Sequence, residues 1–261
     1  MKKTTLLLTT IASLFILGAC SSAKSSAGNS LSSTEISSGN SESLPSNIES
    51  SNNGSVTPEK SNFDKVLDAI SNYNIEFTNG YDYSLIQYLG KDIVNSNSIS
   101  LRADFSNDVR AEKIETSKRL NEYGKGEQYT ETEVITYFFN NTVGEYKDNK
   151  WVWSNCKKSD FFATSISNIK IEKEYLTSIK ENNGTNFTIS ADVLDEKVNS
   201  FFNVDTISIN SVSLKIEVSS DFNKLESIEL SYFSSNTRFE MSYEAFYGNV
   251  SIDIPTSEFN K

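Results

Sequence analysis

The side chains able to do chemistry in this chain are carboxylates, two cysteines and a set of paired aromatic rings. Histidine is absent from all 261 residues. That removes the Ser-His-Asp and Cys-His schemes and every His-ligated zinc site. Glu131 and Glu133 share one face of a predicted strand, and Asp192, Asp195 and Glu196 open a predicted helix. Glycoside hydrolysis needs two such acids facing each other across a cleft; carboxylates of this spacing are ordinarily solvated surface charge. Asp221-Phe222-Asn223 has the start of a calcium-loop spacing but lacks the central glycine and the closing glutamate. No CxxC, GxSxG or Gly-rich phosphate loop occurs. The chain is therefore expected to be no enzyme and to carry neither cofactor nor metal. Trp151 and Trp153 lie on one strand face, as a platform for sugar rings or, more commonly, as a hairpin packing device.

Cys20 has a more specific setting. Met1-Lys2-Lys3 precedes an apolar run from Leu6 to Leu17. Twelve residues make about 18 Å of helix, too short for a ~30 Å hydrocarbon core, so the run reads as a secretory signal. It ends in Leu17-Gly18-Ala19-Cys20, which resembles the lipobox of bacterial lipoproteins. The resemblance implies signal-peptidase recognition through Leu17, Gly18 and Ala19 and removal of residues 1–19. Cys20 would carry diacylglycerol on its thiol and a further acyl chain such as palmitate. Each buried CH₂ contributes ~0.8 kcal/mol, so more than one chain gives lasting attachment to the extracytoplasmic face of a cell membrane.

Residues 20–61 form a lipidated start and a tether. Ser, Asn and Gly fill 24 of the 41 positions from 21 to 61, and the sparse apolar residues follow no period. Such a segment buries too little surface to offset its chain entropy and is expected to be disordered. As a flexible coil it would reach roughly 35 Å. A wall-spanning or modified stalk is the alternative to a plain spacer.

The third part, residues 62–261, is read as one globular domain. It holds 20 basic and 31 acidic side chains, so the whole net charge of −11 belongs to it. Such a balance argues against a nucleic-acid partner. Only Cys156 remains for it, expected as a small, partly buried apolar residue, or else a reactive or intermolecular thiol.

Phe63, Val66, Leu67 and Ile70 fall at helical spacing, with Ser61 before them as a cap. The period then drops to two in runs beginning at Ile99, Phe187, Val212, Ile228, Phe239 and Val250. The last three are read as consecutive hairpins, ending in a strand over Val250–Ile254. Asp108 to Gly126 reads as long, polar, extended chain. Two stretches return to helical spacing: Ser159 to Ile171, with Phe162, Ile166 and Ile169, and Asp192 to Asn203, with Leu194, Val198, Phe201 and Phe202. The expected fold is α+β and mostly β. A strongly curved antiparallel sheet, a half-barrel, is covered on its concave face by an N-terminal helix and two short inserted helices.

This order resembles the LolA-like half-barrels, including envelope lipoproteins of the LppX and LprG type and lipoproteins of low-GC Gram-positive bacteria. The likeness rests on the opening helix, the hairpin ending in Lys150-Trp151-Val152-Trp153, the Ser213–Leu230 strand-turn-strand and the final Val250–Pro255. It implies an apolar cavity that accepts a lipid or amphiphile. Phe162, Ile166, Phe201, Phe239, Met241 and Tyr243 are its candidate lining; the same residues would equally make a closed, dry core. A non-catalytic module contacting cell-wall polymer or a partner protein is the other reading.

Overall fold

The computed structural model describes residues 59–255, apart from 74, 76, 77, 107, 125–127, 164–168 and 205–207. Leu17, Gly18, Ala19, Cys20, most of the tether and Ile166 lie outside the described residues.

The domain starts with α1 (Asn62–Ser71). The Ser61 hydroxyl accepts from the Asp64 backbone N–H, and the Asp64 carboxylate accepts in return from the Ser61 N–H. This capping box satisfies two donors that a helix start otherwise leaves open. Phe63, Val66 and Ala69 are buried, with Leu67 and Ile70 packed beside them, as the periodicity predicts.

Eleven antiparallel strands follow. The first six, β1 (Gly80–Leu89), β2 (Asp92–Asp104), β3 (Arg110–Leu120), β4 (Tyr129–Phe139), β5 (Thr142–Lys147) and β6 (Lys150–Asn155), form one meander. The other five are β7 (Leu176–Asn183), β8 (Phe187–Val193), β9 (Ile209–Val218), β10 (Leu225–Ser234) and β11 (Thr237–Phe246), which form a second. β11 pairs with β1 over ten residues, from Gly80↔Phe246 to Leu89↔Thr237. The result is one open sheet whose edges are β6 and β7. Bulges between Gln87/Tyr88, Thr177/Lys180, Leu225/Ser227 and Ser231/Phe233 add the twist that lets so wide a sheet curl.

The short helices sit in the connections, α2 (Lys158–Phe161) between the two meanders and α3 (Val198–Phe201) between β8 and β9. Between the edge strands β6 and β7 the described residues Cys156, Phe161, Phe162 and Tyr175 are buried in one core with α1, α3 and the strands. Two backbone bonds tie this cover together, from the Lys170 N–H to the Phe201 carbonyl and from the Leu194 N–H to the Tyr175 carbonyl.

The mostly-β class, the open antiparallel sheet and the three covering helices agree with expectation; four details differ. Val250–Ile254 is not a strand. β11 already has β10 on one side and β1 on the other, so a further hairpin strand has no edge to join, although Ile252 is still buried. The predicted helix over Ser159–Ile171 is only α2 within the described residues. The stretch from Asp192 belongs to β8 as far as Val193; a 3-10 turn at Asp195–Lys197 then leads into α3, and Asn203 ends it at φ 53°. β1 is the fourth, a strand without a sustained alternating signal. Tyr81, Tyr83 and Leu85 face the core, but beyond Leu85 the inward residue is Gln87 and the outward ones are Ile86 and Tyr88.

Two glycines separate the seam from ordinary turn chemistry. Gly80 has φ +143°, and a Cβ there would lie 1.9 Å from the Leu101 carbonyl oxygen. Gly90, in the β1–β2 turn at φ +65°, has nothing within 4 Å. Gly90→Ala should therefore cost only the left-handed penalty, about 1–2 kcal/mol. Gly80→Ala should cost more than about 4 kcal/mol or prevent folding, as backbone overlap cannot relax by rotamer change. Urea unfolding of the two variants checks this, and equal losses would refute the account of the seam.

Candidate functional site

The predicted lining residues stand on one face but in separate neighbourhoods. Phe162 packs in a ring cluster with Phe105, Phe138 and Phe161, at centroid distances of 5.3, 5.6 and 5.2 Å. Phe201 stands edge-on to Phe202 at 5.1 Å, Phe202 meets Tyr232 at 5.4 Å, and Tyr232 stacks on Phe239 at 5.1 Å. Tyr243 lies between them, against Tyr81 at 5.2 Å and Tyr73 at 5.9 Å. Met241 occupies the neighbouring row, opposite Leu230 and Leu85. All five are buried. Phe239, Met241 and Tyr243 are successive inward positions of β11, so their common face follows from strand alternation alone.

Tyr73 and Tyr243 share a short O–H···O contact. Burial pushes both phenols up, as it does Tyr81, Tyr232 and Tyr247.

Trp151 and Trp153 do share a face, the one opposite the core. Asp148 and Asn149, at φ 51° and 62°, close the β5–β6 hairpin as a two-residue turn. Both positive angles match the right-handed twist of the strands. The Trp153 indole lies over Gly144, where a Cβ would be 2.7 Å from the ring. Trp151 contacts Tyr137 at 5.1 Å, Tyr146 at 5.4 Å and Trp153 at 6.4 Å. This is cross-strand packing, yet it ends at an open edge, where Tyr146 is 57% exposed. The Tyr137 hydroxyl donates to Glu112 at 2.7 Å. Burial and then that carboxylate push it up to about 12.

Of the acids singled out by spacing, Asp192, Asp195 and Glu196 line one open pocket where β8 leads into the 3-10 turn, and the others lie apart from it. Glu131 and Glu133 are exposed on β4, and among the described residues no group of three His, Cys, Asp or Glu could hold a metal ion. Asp221 is a turn residue. It accepts from the Ser219 hydroxyl at 2.6 Å and the Asn223 N–H at 3.2 Å, and these bonds hold its carboxyl below the usual range. Cys156 is buried, its thiol donating to the Lys157 carbonyl at 3.5 Å.

Two grooves of about 540 and 520 Å³ lie on the polar face of the sheet, a feature the sequence did not suggest. Pairing aligns Thr116, Ser98, Ser84, Ser242, Glu229, Lys215 and Ser190 in one row across seven strands, β3 to β8 by way of β11. The Ser84 and Ser242 hydroxyls are 2.8 Å apart. Most of these side chains are short, and longer acids stand in the rows beside them: Asp82, Glu244 and Glu217 on one side, Glu240 on the other. Lys215 donates to Glu229 at 2.8 Å, and Asn186 to Glu217 at 2.7 Å. Burial pushes the Glu226 carboxyl up, and Glu217, Asp221 and Glu244 raise it further against the opposing pull of Lys224. Both grooves border β11 at Ser242, and the second also touches Met241, whose side chain points to the opposite face.

No protein-family model matches the chain, and no curated protein does. Among solved structures it is similar to LprF from Mycobacterium bovis at 7% identity, covering 74% of this chain and 95% of that one with a TM-score of 0.38. A chain of the Pseudomonas aeruginosa MucA/MucB complex matches at 9% identity, over 71% of this chain and 59% of its own, TM-score 0.26. The hypothetical protein CT021 of Chlamydia trachomatis matches at 12% identity, over 67% and 91%, TM-score 0.26.

The buried phenols set an alkaline limit to stability. A phenol raised above its ordinary value of 10 stabilises the fold fully below pH 10, and that contribution is lost as pH rises through its folded value. Tyr137 reaches that point near pH 12, and the core phenols remain protonated beyond it. The part of the tyrosinate absorbance that comes from the core phenols should therefore appear in one cooperative step, with loss of near-UV circular dichroism, above pH 10. Gradual titration of the core phenols in a folded chain would contradict this burial.

Proposed function

We propose that this protein is a lipid-anchored, non-catalytic binding module on the extracytoplasmic face of a cell membrane, and that its ligand is a hydrophobic or lipid-like molecule taken up between sheet and helices. One observation carries the reading. The apolar inner face is many strands wide, while its cover consists of a ten-residue helix, two four-residue helices and irregular chain. Ladder hydrogen bonds make the sheet the rigid wall. The cover is held largely by rings such as Phe161, Phe162, Phe201 and Phe202, whose contacts an acyl chain can replace at little net cost. Anchoring through Cys20 would keep the module within reach of its lipid source, and the acidic surface would hold it off anionic head groups.

The exposed edge at Tyr146 and Trp151 supports the second reading, a module for cell-wall polymer or a partner protein. Amphipathic rings at an unpaired strand are suited to contact with an external surface.

A soluble full-length chain carrying Cys20→Ser separates these readings. A dansyl-labelled fatty acid should bind it, with blue-shifted emission. Met241→Trp, which fills the inner face, should weaken binding at least tenfold, and Trp151→Ala should leave it unchanged. The reverse pattern, with retention on purified cell wall lost in Trp151→Ala, would transfer the function to the edge. Incorporation of labelled palmitate into the parent chain and not into Cys20→Ser checks the anchor.

A further inference from the structure

The two grooves on the polar face lie opposite the proposed lipid face and are not needed by it. Together they form one trough from β3 to β8. Six strand spacings make it about 29 Å long, the reach of roughly nine extended residues. Its floor is the row of Thr116, Ser98, Ser84, Ser242, Glu229, Lys215 and Ser190, five short hydroxyl side chains with the Lys215–Glu229 ion pair set between Ser242 and Ser190. Each hydroxyl both donates and accepts. Seven carboxylates and two lysines line the trough, and one of those lysines, Lys215, is already paired with Glu229. Glu226 and Glu244 make no ion pair among the described residues.

We infer that this trough is a binding site for an extended basic peptide segment of a partner protein, lying across the strands. A peptide backbone offers N–H donors and carbonyl acceptors to a hydroxyl floor, and Lys or Arg side chains reach the flanking carboxylates in charge-assisted bonds. A polyamine fits less well. It has charge but no acceptors, so its methylenes would cover hydroxyl donors without satisfying them. An acidic polymer or a nucleic acid is repelled by the same flanks.

The test uses the full chain carrying Cys20→Ser and a fluorescein-labelled peptide of about nine residues alternating Lys and Ser, read by anisotropy at low salt. Glu226→Lys/Glu244→Lys should weaken binding at least tenfold, and Ser84→Tyr, which fills the floor, by a similar factor. The control pair Asp92→Lys/Glu131→Lys changes net charge equally but lies outside both grooves, and it should stay within twofold of the parent. Equal loss in both charge-reversal pairs would overturn the proposal, because it would reduce the attraction to net charge. Spermine competing as strongly per charge as the peptide would overturn it too. If Ser84→Tyr does not fold, the two charge pairs still decide. Fatty-acid binding measured alongside should be unaffected, so failure here is distinguishable from failure of the lipid reading.

Discussion

The pairing of β1 with β11 is the interaction on which the rest of the structure depends. Without it the chain is two meanders of six and five strands, each with a raw edge. With it the edges are β6 and β7, and described residues of the chain between them, such as Phe161, Phe162 and Tyr175, join the cover of the core. The seam is fixed at its start by backbone geometry. Asn79 donates from its N–H to Phe246 and from its side-chain amide to Gly248, and the Ala103 N–H returns to the Asn79 carbonyl. Gly80 then passes close against Leu101, where no other residue has room.

Register along the seam is decided by burial more than by hydrogen bonding. Each ladder bond contributes about 0.5–1.5 kcal/mol net, whichever register forms it. Tyr81, Tyr83, Leu85, Met241 and Tyr243 are each worth about 1.5–3 kcal/mol when buried, and a one-residue slip would turn every one of them outward. The apolar face is nonetheless not rectangular. In the row through Tyr243 it extends across Tyr83 to Ile99 and stops at Glu115. One row on, through Met241, it stops at Leu85, opposite Asn97. In the row of Phe239 it has ended by Gln87. The boundary runs obliquely, so the far ends of β2 to β4 are mostly polar, with Ile93, Val94, Leu120, Tyr129 and Val134 as the exceptions.

That oblique boundary explains which parts were legible in the sequence. β8 and β11, β9 from Val212 and β10 from Ile228 to Tyr232 alternate because they lie on the apolar side, and their residues announce them. β1 crosses the boundary in mid-strand, and its alternation reverses after Leu85. The supposed last strand has good alternation at Val250, Ile252 and Ile254, yet the place it would fill belongs to β1, which is 170 residues away. Occupancy of an edge is a property of the assembled sheet. The same holds for the polar trough: Ser84, Ser98 and Ser242 are unremarkable one at a time and become a floor only through register. Trp153 is readable in the sequence as a strand-face residue, but not as a ring lying on the missing side chain of Gly144. The helix expected over Asp192 to Asn203 is shorter in the fold, since a few apolar residues at helical spacing also suit a 3-10 turn followed by one helical turn.

Strand alternation finally couples the two faces without making them move together. Met241 and Tyr243 point into the core, and Ser242 and Glu244, between and beside them, point into the trough. A ligand entering on the apolar side, as proposed, would act on the cover, whose backbone is tied to itself by bonds such as Lys170 to Phe201. The trough has no cover and is shaped by the ladder alone. Opening one side therefore costs ring contacts and short-helix packing, while the other keeps its register. A single sheet can in this way present an adaptable apolar face and a fixed polar one, with the same eleven strands enforcing the difference.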